Sequence, residues 1–259
     1  MSYKFDLNNK TKIMGILNIT PDSFSDGGNF NTVEKAITRA KQIENEGADI
    51  IDIGAQSTRP GFTQISADEE WQRLEPVLKN LKLNIPISID TFYPEIAQKC
   101  LELYRVDIIN DITGCENPDM LPLIAKYNCA VIITHNKPGM NIKTFFEKKL
   151  KNAQNLKINS DQICFDPGIG FCKNQKEDAY IIKNLKNIKL KSCACLVGLS
   201  RKRIIGVNCG NPPPKERLYG TIAANTICIQ GGANILRVHD VKEAVQAAQV
   251  SDAILKSNN

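Results

Sequence analysis

The stretch Ile13-Met-Gly-Ile-Leu-Asn18-Ile-Thr-Pro-Asp22-Ser-Phe24-Ser-Asp26-Gly-Gly28 runs from a short apolar segment straight into a long polar loop. An amphipathic helix pattern follows only near Asn31. The segment has the length and composition of a buried strand, so the unit reads strand, loop, helix. Most strand-to-helix connections are short, and a long one carrying two carboxylates, an aromatic ring and a Gly pair is a working loop rather than a joint. A second loop of this kind, Gly54-Ala-Gln56-Ser-Thr58-Arg59-Pro60-Gly61, follows the next apolar run. Together the two loops suggest a phosphate-handling enzyme.

The same alternation continues along the chain. Strands are predicted at Ile13–Asn18, Ile50–Gly54, Ile87–Asp90, Ile108–Asp111, Ala130–Thr134, Ile163–Asp166, Cys195–Leu199 and Ile235–Val238. They are near-continuous apolar runs, as expected of parallel strands buried on both faces. Helices are predicted between them at Thr32–Glu46, Ala67–Asn80, Pro94–Leu103, Asp119–Tyr127, Ile142–Asn155, Lys176–Asn187, Lys215–Gln230 and Val241–Leu255. Ser66-Ala-Asp-Glu69 fits a capping box, and Asn117-Pro118 places a cap before a proline at the first helical position. About eight β–α units in 259 residues imply one domain, residues 1–259, folded as an α/β (β/α)8 TIM barrel. The alternative, a doubly wound sheet, lacks its glycine fingerprint after the first strand.

Composition narrows the function. With 42% hydrophobic residues the chain can bury a large core, and its net charge of +5 is spread rather than clustered. No basic run interleaved with aromatics supports nucleic-acid binding, and no apolar run reaches membrane-spanning length. The N-terminal residues hold no apolar signal core, so a cytoplasmic location is expected. The nine cysteines lack zinc-site spacing and read as reduced, small core hydrophobes, with Cys193 and Cys195 sharing one face of a strand. Only two histidines, His135 and His239, are present, which argues against histidine-based metal clusters.

Polar residues at strand ends then acquire meaning. Asn18, Asp90, Asn110, Asp166, Ser200-Arg201-Lys202 and Arg237-Val-His239 all fall at C-terminal strand edges, which converge on one face of a parallel barrel. A lone Asp after a strand is often a helix cap, but caps do not account for so many such positions. Asp90, Asn110 and Asp166 suit a flat heterocycle rich in N–H donors, because a buried carboxylate needs donors to offset its desolvation. Lys202 can donate to a ring carbonyl or nitrogen. Arg59, Arg237 and His239 suit an anion, and Arg237 could also lie flat on a ring. Asn18 offers the hard oxygen that Mg2+ accepts when substrate phosphates complete its shell.

These residues carry a resemblance. Asn18-Ile-Thr-Pro-Asp-Ser-Phe-Ser-Asp-Gly-Gly28, Ser57-Thr-Arg-Pro-Gly61, Ser88-Ile-Asp-Thr91, Ile109-Asn-Asp-Ile-Thr-Gly114, Asp166-Pro-Gly-Ile-Gly-Phe171, Gly198-Leu-Ser-Arg-Lys202 and Arg237-Val-His-Asp240 run in order across nearly the whole chain. In these motifs the sequence resembles the dihydropteroate synthase family, the sulfonamide-targeted transferases of folate biosynthesis. The resemblance implies a pterin-binding barrel that condenses 6-hydroxymethyl-7,8-dihydropterin diphosphate with 4-aminobenzoate. By the same resemblance Asp90, Asn110, Asp166 and Lys202 bind the pterin ring, and Arg237 stacks on it. Asn18, Arg59, Arg237 and His239 hold the diphosphate, and Asn18 is the protein ligand to Mg2+. Phe24, Thr58, Pro60, Gly170 and Phe171 frame the aminobenzoate. Asp26, Arg59 and Lys202 form the catalytic set, with Asp26 placed to stabilise a pterin methylene cation. A homodimer is implied, and the length leaves no room for a fused pterin kinase or aldolase domain.

Three departures stand out. Thr134-His135-Asn136 replaces the usual Met-His-Met, which questions a sulfur-lined pterin wall. Gln56 sits where Glu is common. Arg203, after Lys202, either pairs with the aminobenzoate carboxylate or faces solvent at a helix start. Two rivals remain at this level. A methyltetrahydrofolate-dependent methyltransferase would need the pterin-binding Asp and Asn but not the Ser57–Pro60 loop. A non-catalytic pterin-binding paralogue would be expected to lose loop residues, whereas Asp22, Phe24, Asp26, Arg59 and Pro60 are retained.

Overall fold

The structure, a computed structural model, describes residues 3–7, 10–20, 29–56 and 63–257, with only the backbone of 29–32. Eight parallel strands close into a barrel in sequence order: β1 Lys12–Asn18, β2 Ile50–Gly54, β3 Ile87–Asp90, β4 Ile108–Asp111, β5 Ala130–Thr134, β6 Ile163–Asp166, β7 Ala194–Val197 and β8 Ile235–Val238. Closure rests on β1 pairing with β8 as well as β2, with Met14 opposite Arg237 and Ile16 opposite Asp52. The helices outside are α1 Asn29–Asn45, α2 Ala67–Asn80, α3 Pro94–Leu103, α4 Met120–Tyr127, α5 Ile142–Asn155, α6 Gln175–Ile188, α7 Arg203–Asn208, α8 Leu218–Gln230 and α9 Val241–Lys256. None of the described helices is long and apolar enough to cross a membrane.

The period-two alternation of strand side chains divides the barrel into two cores. Outward positions such as Ile51, Ile53, Ile87, Ile89, Ile109, Val131, Phe165 and Leu236 pack in one large cluster with the helices. The floor of the interior is a separate apolar layer of Met14, Ile50, Ile108, Ile132, Cys164, Leu196 and Ile235, closed from below by Phe5. One step up, the same inward register delivers Asp52, Ser88, Asp90, Asn110, Asp166 and Arg237. The strand pairings place Asp52 beside Ser88 and Asp90 beside Asn110. An apolar floor under a polar mouth is thus set by where each strand changes from isoleucine to carboxylate.

Local signals held unevenly. Ser66 caps α2, its hydroxyl accepting from the Glu69 N–H at 3.2 Å. Asn117 does not cap α4: its side chain accepts from the Asp119 N–H at 3.1 Å in a turn that delays the helix to Met120. The seventh strand starts one residue earlier and ends two residues earlier than the apolar run suggested, Ala194–Val197 in place of Cys195–Leu199. Leu199 is buried in the outer core, so its apolarity reflects packing rather than a ladder position. The helix expected over Lys215–Gln230 is a 3-10 turn, Pro214–Glu216, followed by α8 from Leu218. The helix start expected at Arg203 is real, but α7 is too short to give a periodic signal from which its extent could be read. All nine cysteines are free, and Cys193 and Cys195 both lie in the barrel–helix core, but Cys172 and Cys209 are exposed and so are not the core hydrophobes expected.

Gly15 lets two helices approach β1. A Cβ there would sit 2.4 Å from Ile43 Cγ2 on α1 and 3.0 Å from Val241 Cγ2 on α9. Gly15→Val should therefore lower stability by about 1–3 kcal/mol through overpacking, read as a shift in the chemical denaturation midpoint. An unchanged midpoint would mean that the two helices can move apart freely.

Candidate active site

The barrel mouth is organised by a carboxylate absent from the sequence-derived site. Asp52, fully buried on β2, accepts from Ser88 Oγ at 2.6 Å, from Asn110 Nδ2 at 3.0 Å and from Arg237 Nε at 2.6 Å. Arg237 reaches across from β8 and also donates through Nη2 to Asp90 Oδ2 at 2.7 Å. The guanidinium is therefore clamped along one edge by two carboxylates from adjacent strands, a charge-assisted geometry with a defined orientation. Burial works against its charge, but Asp52 and Asp90 hold Arg237 above the usual arginine range. A lone Asp between isoleucines, Ile50-Ile-Asp52-Ile53, was the available signal, hidden because it lies mid-strand rather than at a strand end.

Asp90, Asn110 and Asp166 come together as the sequence implied, each at least nine-tenths buried. Asp90 Oδ1 is buried with no hydrogen-bond partner, an acceptor left for something outside the protein. Burial pushes the Asp90 carboxyl up; Arg237 opposes this, and Asp52, Glu70 and Asp111 add to it. Asp166 Oδ1 accepts from the Gly168 N–H at 2.7 Å. Its carboxyl is also raised by burial, against the pull of Lys202. Asn110 spends its amide N–H on Asp52, which turns its carbonyl oxygen away from that bond.

Lys202 precedes α7, and its Nζ donates to the Ile169 carbonyl at 2.6 Å and lies 4.5 Å from the Phe171 ring centroid. Burial lowers its ammonium to about 8, with Asp166 resisting. Gly170, at φ +82°, keeps open the space beside this side chain, since a Cβ would stand 3.1 Å from Lys202 Cδ. The loop holding Gly170 and Phe171 is shaped by two residues that sequence reasoning missed. Lys173 Nζ donates to the carbonyls of His135, Gly168 and Phe171 at 2.9, 3.0 and 3.1 Å. Asp178 on α6 accepts from the Gly170 N–H at 2.8 Å. Neither carried a sequence signal, because a Lys and an Asp at a helix start read as ordinary solvated charge.

Around this centre, His239 Nδ1 lies 3.0 Å from Ser200 Oγ, joining the ends of β7 and β8. Arg201 pairs with Asp240 on the same side of the mouth. Asn18 ends β1 half-buried, and no described residue hydrogen-bonds its carboxamide. Arg203 is exposed, and its Nη2 donates to the Lys173 carbonyl at 2.9 Å, so at least part of its guanidinium braces the rim. Thr134 stands beside Asp166 in the strand register, giving a hydroxyl where sulfur was expected. Burial, reinforced by Lys173, holds the His135 imidazole neutral, its pKa lowered to about 4. Phe24, Asp26, Thr58, Arg59 and Pro60 lie outside the described residues. Among the described residues no cluster of His, Cys, Asp or Glu could hold a metal by itself.

Comparison with known proteins agrees with this geometry. Residues 14–239 match the model of the pterin binding enzyme family. The chain is similar to the dihydropteroate synthase of Synechocystis, 41% identical over 96% of this chain and 92% of that protein. It is 40% identical to the dihydropteroate synthase of Clostridium beijerinckii over 98% of both. Among solved structures, the dihydropteroate synthase of Clostridium difficile, determined in the presence of pteroic acid, superposes with a TM-score of 0.93 at 43% identity, covering 98% of this chain and 100% of that one. The Xanthomonas albilineans dihydropteroate synthase with 4-aminobenzoic acid gives 0.91 at 33% identity, with 100% of both chains covered. With residues 14–239 matching the family model and buried acceptors gathered in the barrel mouth, this chain belongs to the pterin-binding enzymes.

Proposed function

We propose that the protein is a dihydropteroate synthase, a single-domain barrel joining 6-hydroxymethyl-7,8-dihydropterin diphosphate to 4-aminobenzoate with release of diphosphate. The observation that carries this reading is the buried, unpartnered Asp90 Oδ1 beside the clamped Arg237, with Asp166 and Lys202 in the same mouth. A pterin ring offers a donor-rich amidine edge to the carboxylates and a carbonyl to the Lys202 ammonium. The face of Arg237, held in place by Asp52 and Asp90, gives the ring a cationic plane on which to lie.

The diphosphate is assigned to Asn18, Arg59, Arg237 and His239, and the aminobenzoate to the side framed by Phe24, Thr58, Pro60, Gly170 and Phe171. Asn18 would hold a magnesium ion through the oxygen of its carboxamide, to which no described residue hydrogen-bonds. Such an ion would supply positive charge to offset that of the departing diphosphate. In the reaction the methylene C–O bond breaks, and its electron pair leaves with the diphosphate. The cation left on the methylene carbon spreads into the dihydropterin ring, and its stabilisation is assigned to Asp26. The neutral arylamine attacks that carbon and then loses one proton, so no side chain has to activate it. Lys202 holds the ring carbonyl throughout.

We also assign a homodimer, formed through α8. That helix is apolar on most sides, with Ile227 half exposed beside a groove lined by Ile182, Ile204, Ile205, Ala223 and Ala224. Sedimentation of monomers at working concentration would remove this assignment. The free thiols fit the reducing environment of a cytoplasm, testable by cell fractionation.

Purified protein given the pterin diphosphate, aminobenzoate and Mg2+ should release dihydropteroate. Asp90→Ala and Asp166→Ala should each abolish pterin binding by calorimetry while leaving the fold intact by circular dichroism. Asn18→Ala should need more Mg2+ for its residual turnover. Retained pterin binding in both Asp variants would overturn the pocket assignment.

Pterin affinity should also depend on pH with a definite sign. Lys202 is charged below about 8, so affinity should fall as pH rises through that value. Lys202→Met should bind more weakly and lose this alkaline fall. On the acid side, the raised carboxyls of Asp90 and Asp166 should take up protons early and weaken binding. Calorimetric titrations across the pH range check both limbs, and a flat alkaline limb would exclude the Lys202 contact.

A further inference from the structure

Where the chain leaves β2, two buried polar side chains face each other with one atom apiece unsatisfied. Glu70 on α2 is 0% exposed and Gln56 is 4% exposed. Gln56 Nε2 donates to Glu70 Oε2 at 2.6 Å. The remaining oxygens, Gln56 Oε1 and Glu70 Oε1, are buried without a partner. One residue back, Arg73 Nη1 donates to the Ala55 carbonyl at 2.8 Å. α2 therefore holds the exit of β2 at two successive residues, immediately before Ser57-Thr58-Arg59.

Both leftover atoms are acceptors, and an ionised carboxylate has no donor to offer. A buried acceptor without a donor costs about 1–3 kcal/mol, and a buried unpaired charge costs more. A carboxylic acid and a primary amide are complementary: the amide N–H bonds one carboxyl oxygen, and the acid O–H bonds the amide oxygen. One proton on Glu70 Oε1 would give Gln56 Oε1 its missing donor. The surroundings allow it. Burial pushes the Glu70 carboxyl up to about 7, Glu95 on α3 adds to the rise, and the Thr91 hydroxyl, the Gln56 amide and Arg73 oppose it. Asp90 at the end of β3 is a further like charge, and Cys100 on α3 is held as a neutral thiol. Two buried carboxyls that repel each other do not both ionise readily. Arg237 is bonded to Asp90, so Asp90 takes the charge and Glu70 the proton.

We infer that Glu70 is protonated in the working protein, and that the neutral Glu70–Gln56 acid–amide pair is a positioning device fixing where the chain departs toward Arg59. It also leaves Asp90 free to ionise against Arg237 and the pterin. The positioning role rests on the synthase reading; the protonation does not.

Glu70→Gln is the informative variant, because an amide–amide pair keeps both hydrogen bonds with no proton to lose. Infrared difference spectra of wild type against Glu70→Gln should show a protonated carboxyl that titrates near 7. Unfolded Glu ionises at 4.5 while the folded residue keeps its proton to about 7, so wild-type stability should fall across that interval. Glu70→Gln should lack this fall and melt higher than wild type above it. In turnover Glu70→Gln should match wild type at low pH and lose the component of the alkaline decline near 7, retaining the Lys202 component. Glu70→Ala should lose about tenfold or more in kcat/KM for aminobenzoate at every pH, as a small misplacement of a substrate-holding segment can. A carboxylate band below the transition, or Glu70→Gln as impaired as Glu70→Ala, overturns the inference. If no variant and no wild type turns over, the synthase reading fails while the infrared and melting titrations still decide the proton.

Discussion

The geometry of the barrel mouth depends on Arg237 being clamped between Asp52 and Asp90. Two buried carboxylates from β2 and β3 meet a part-buried guanidinium from β8 above an apolar floor, where an unpaired charge would be costly. That constraint fixes the guanidinium along one edge, turns the Asn110 amide onto Asp52, and leaves Asp90 with one unsatisfied oxygen. A ligand with donors along one edge completes the set. The pocket is thus preorganised for a heterocycle before any arrives, and the ordering entropy is met by folding rather than by binding.

Charge in this region is distributed rather than repeated. Asp52 and Asp90 share Arg237, Asp166 lies under the influence of Lys202, and Glu70 is left with a neutral amide. Asp90, Asp166 and Glu70 thus differ in the group each faces: a guanidinium, an ammonium and an amide. The result separates carboxyls that face a cation from one that faces an amide. Burial raises Asp90, Asp166 and Glu70 alike; the partner decides which of them gives up its proton.

The loop after β6 shows the same economy at backbone level. Lys173 satisfies three carbonyls and Asp178 an N–H, so an irregular segment is pinned without helix or ladder. Gly168 has φ +69°, and a Cβ there would stand 2.1 Å from the His135 carbonyl oxygen. Only glycine fits, and the chain beyond it can then bring the Ile169 carbonyl to Lys202.

By itself the sequence determined the architecture, because burial on both faces leaves near-continuous apolar strands at a regular spacing from amphipathic helices. It also placed Asp90, Asn110, Asp166, Lys202 and Arg237 at one mouth, since parallel closure brings every C-terminal strand edge to the same end. The limits of β7 and the split before α8 were not legible, because apolar packing extends past ladder pairing and short helical pieces carry no period. Only the tertiary structure revealed Asp52 as the hub, for a mid-strand carboxylate gains its meaning from the donors that three other strands bring to it. Glu70 and Gln56 were decided the same way: their chemistry lies in two leftover atoms, and a sequence does not show which hydrogen bonds remain unmade.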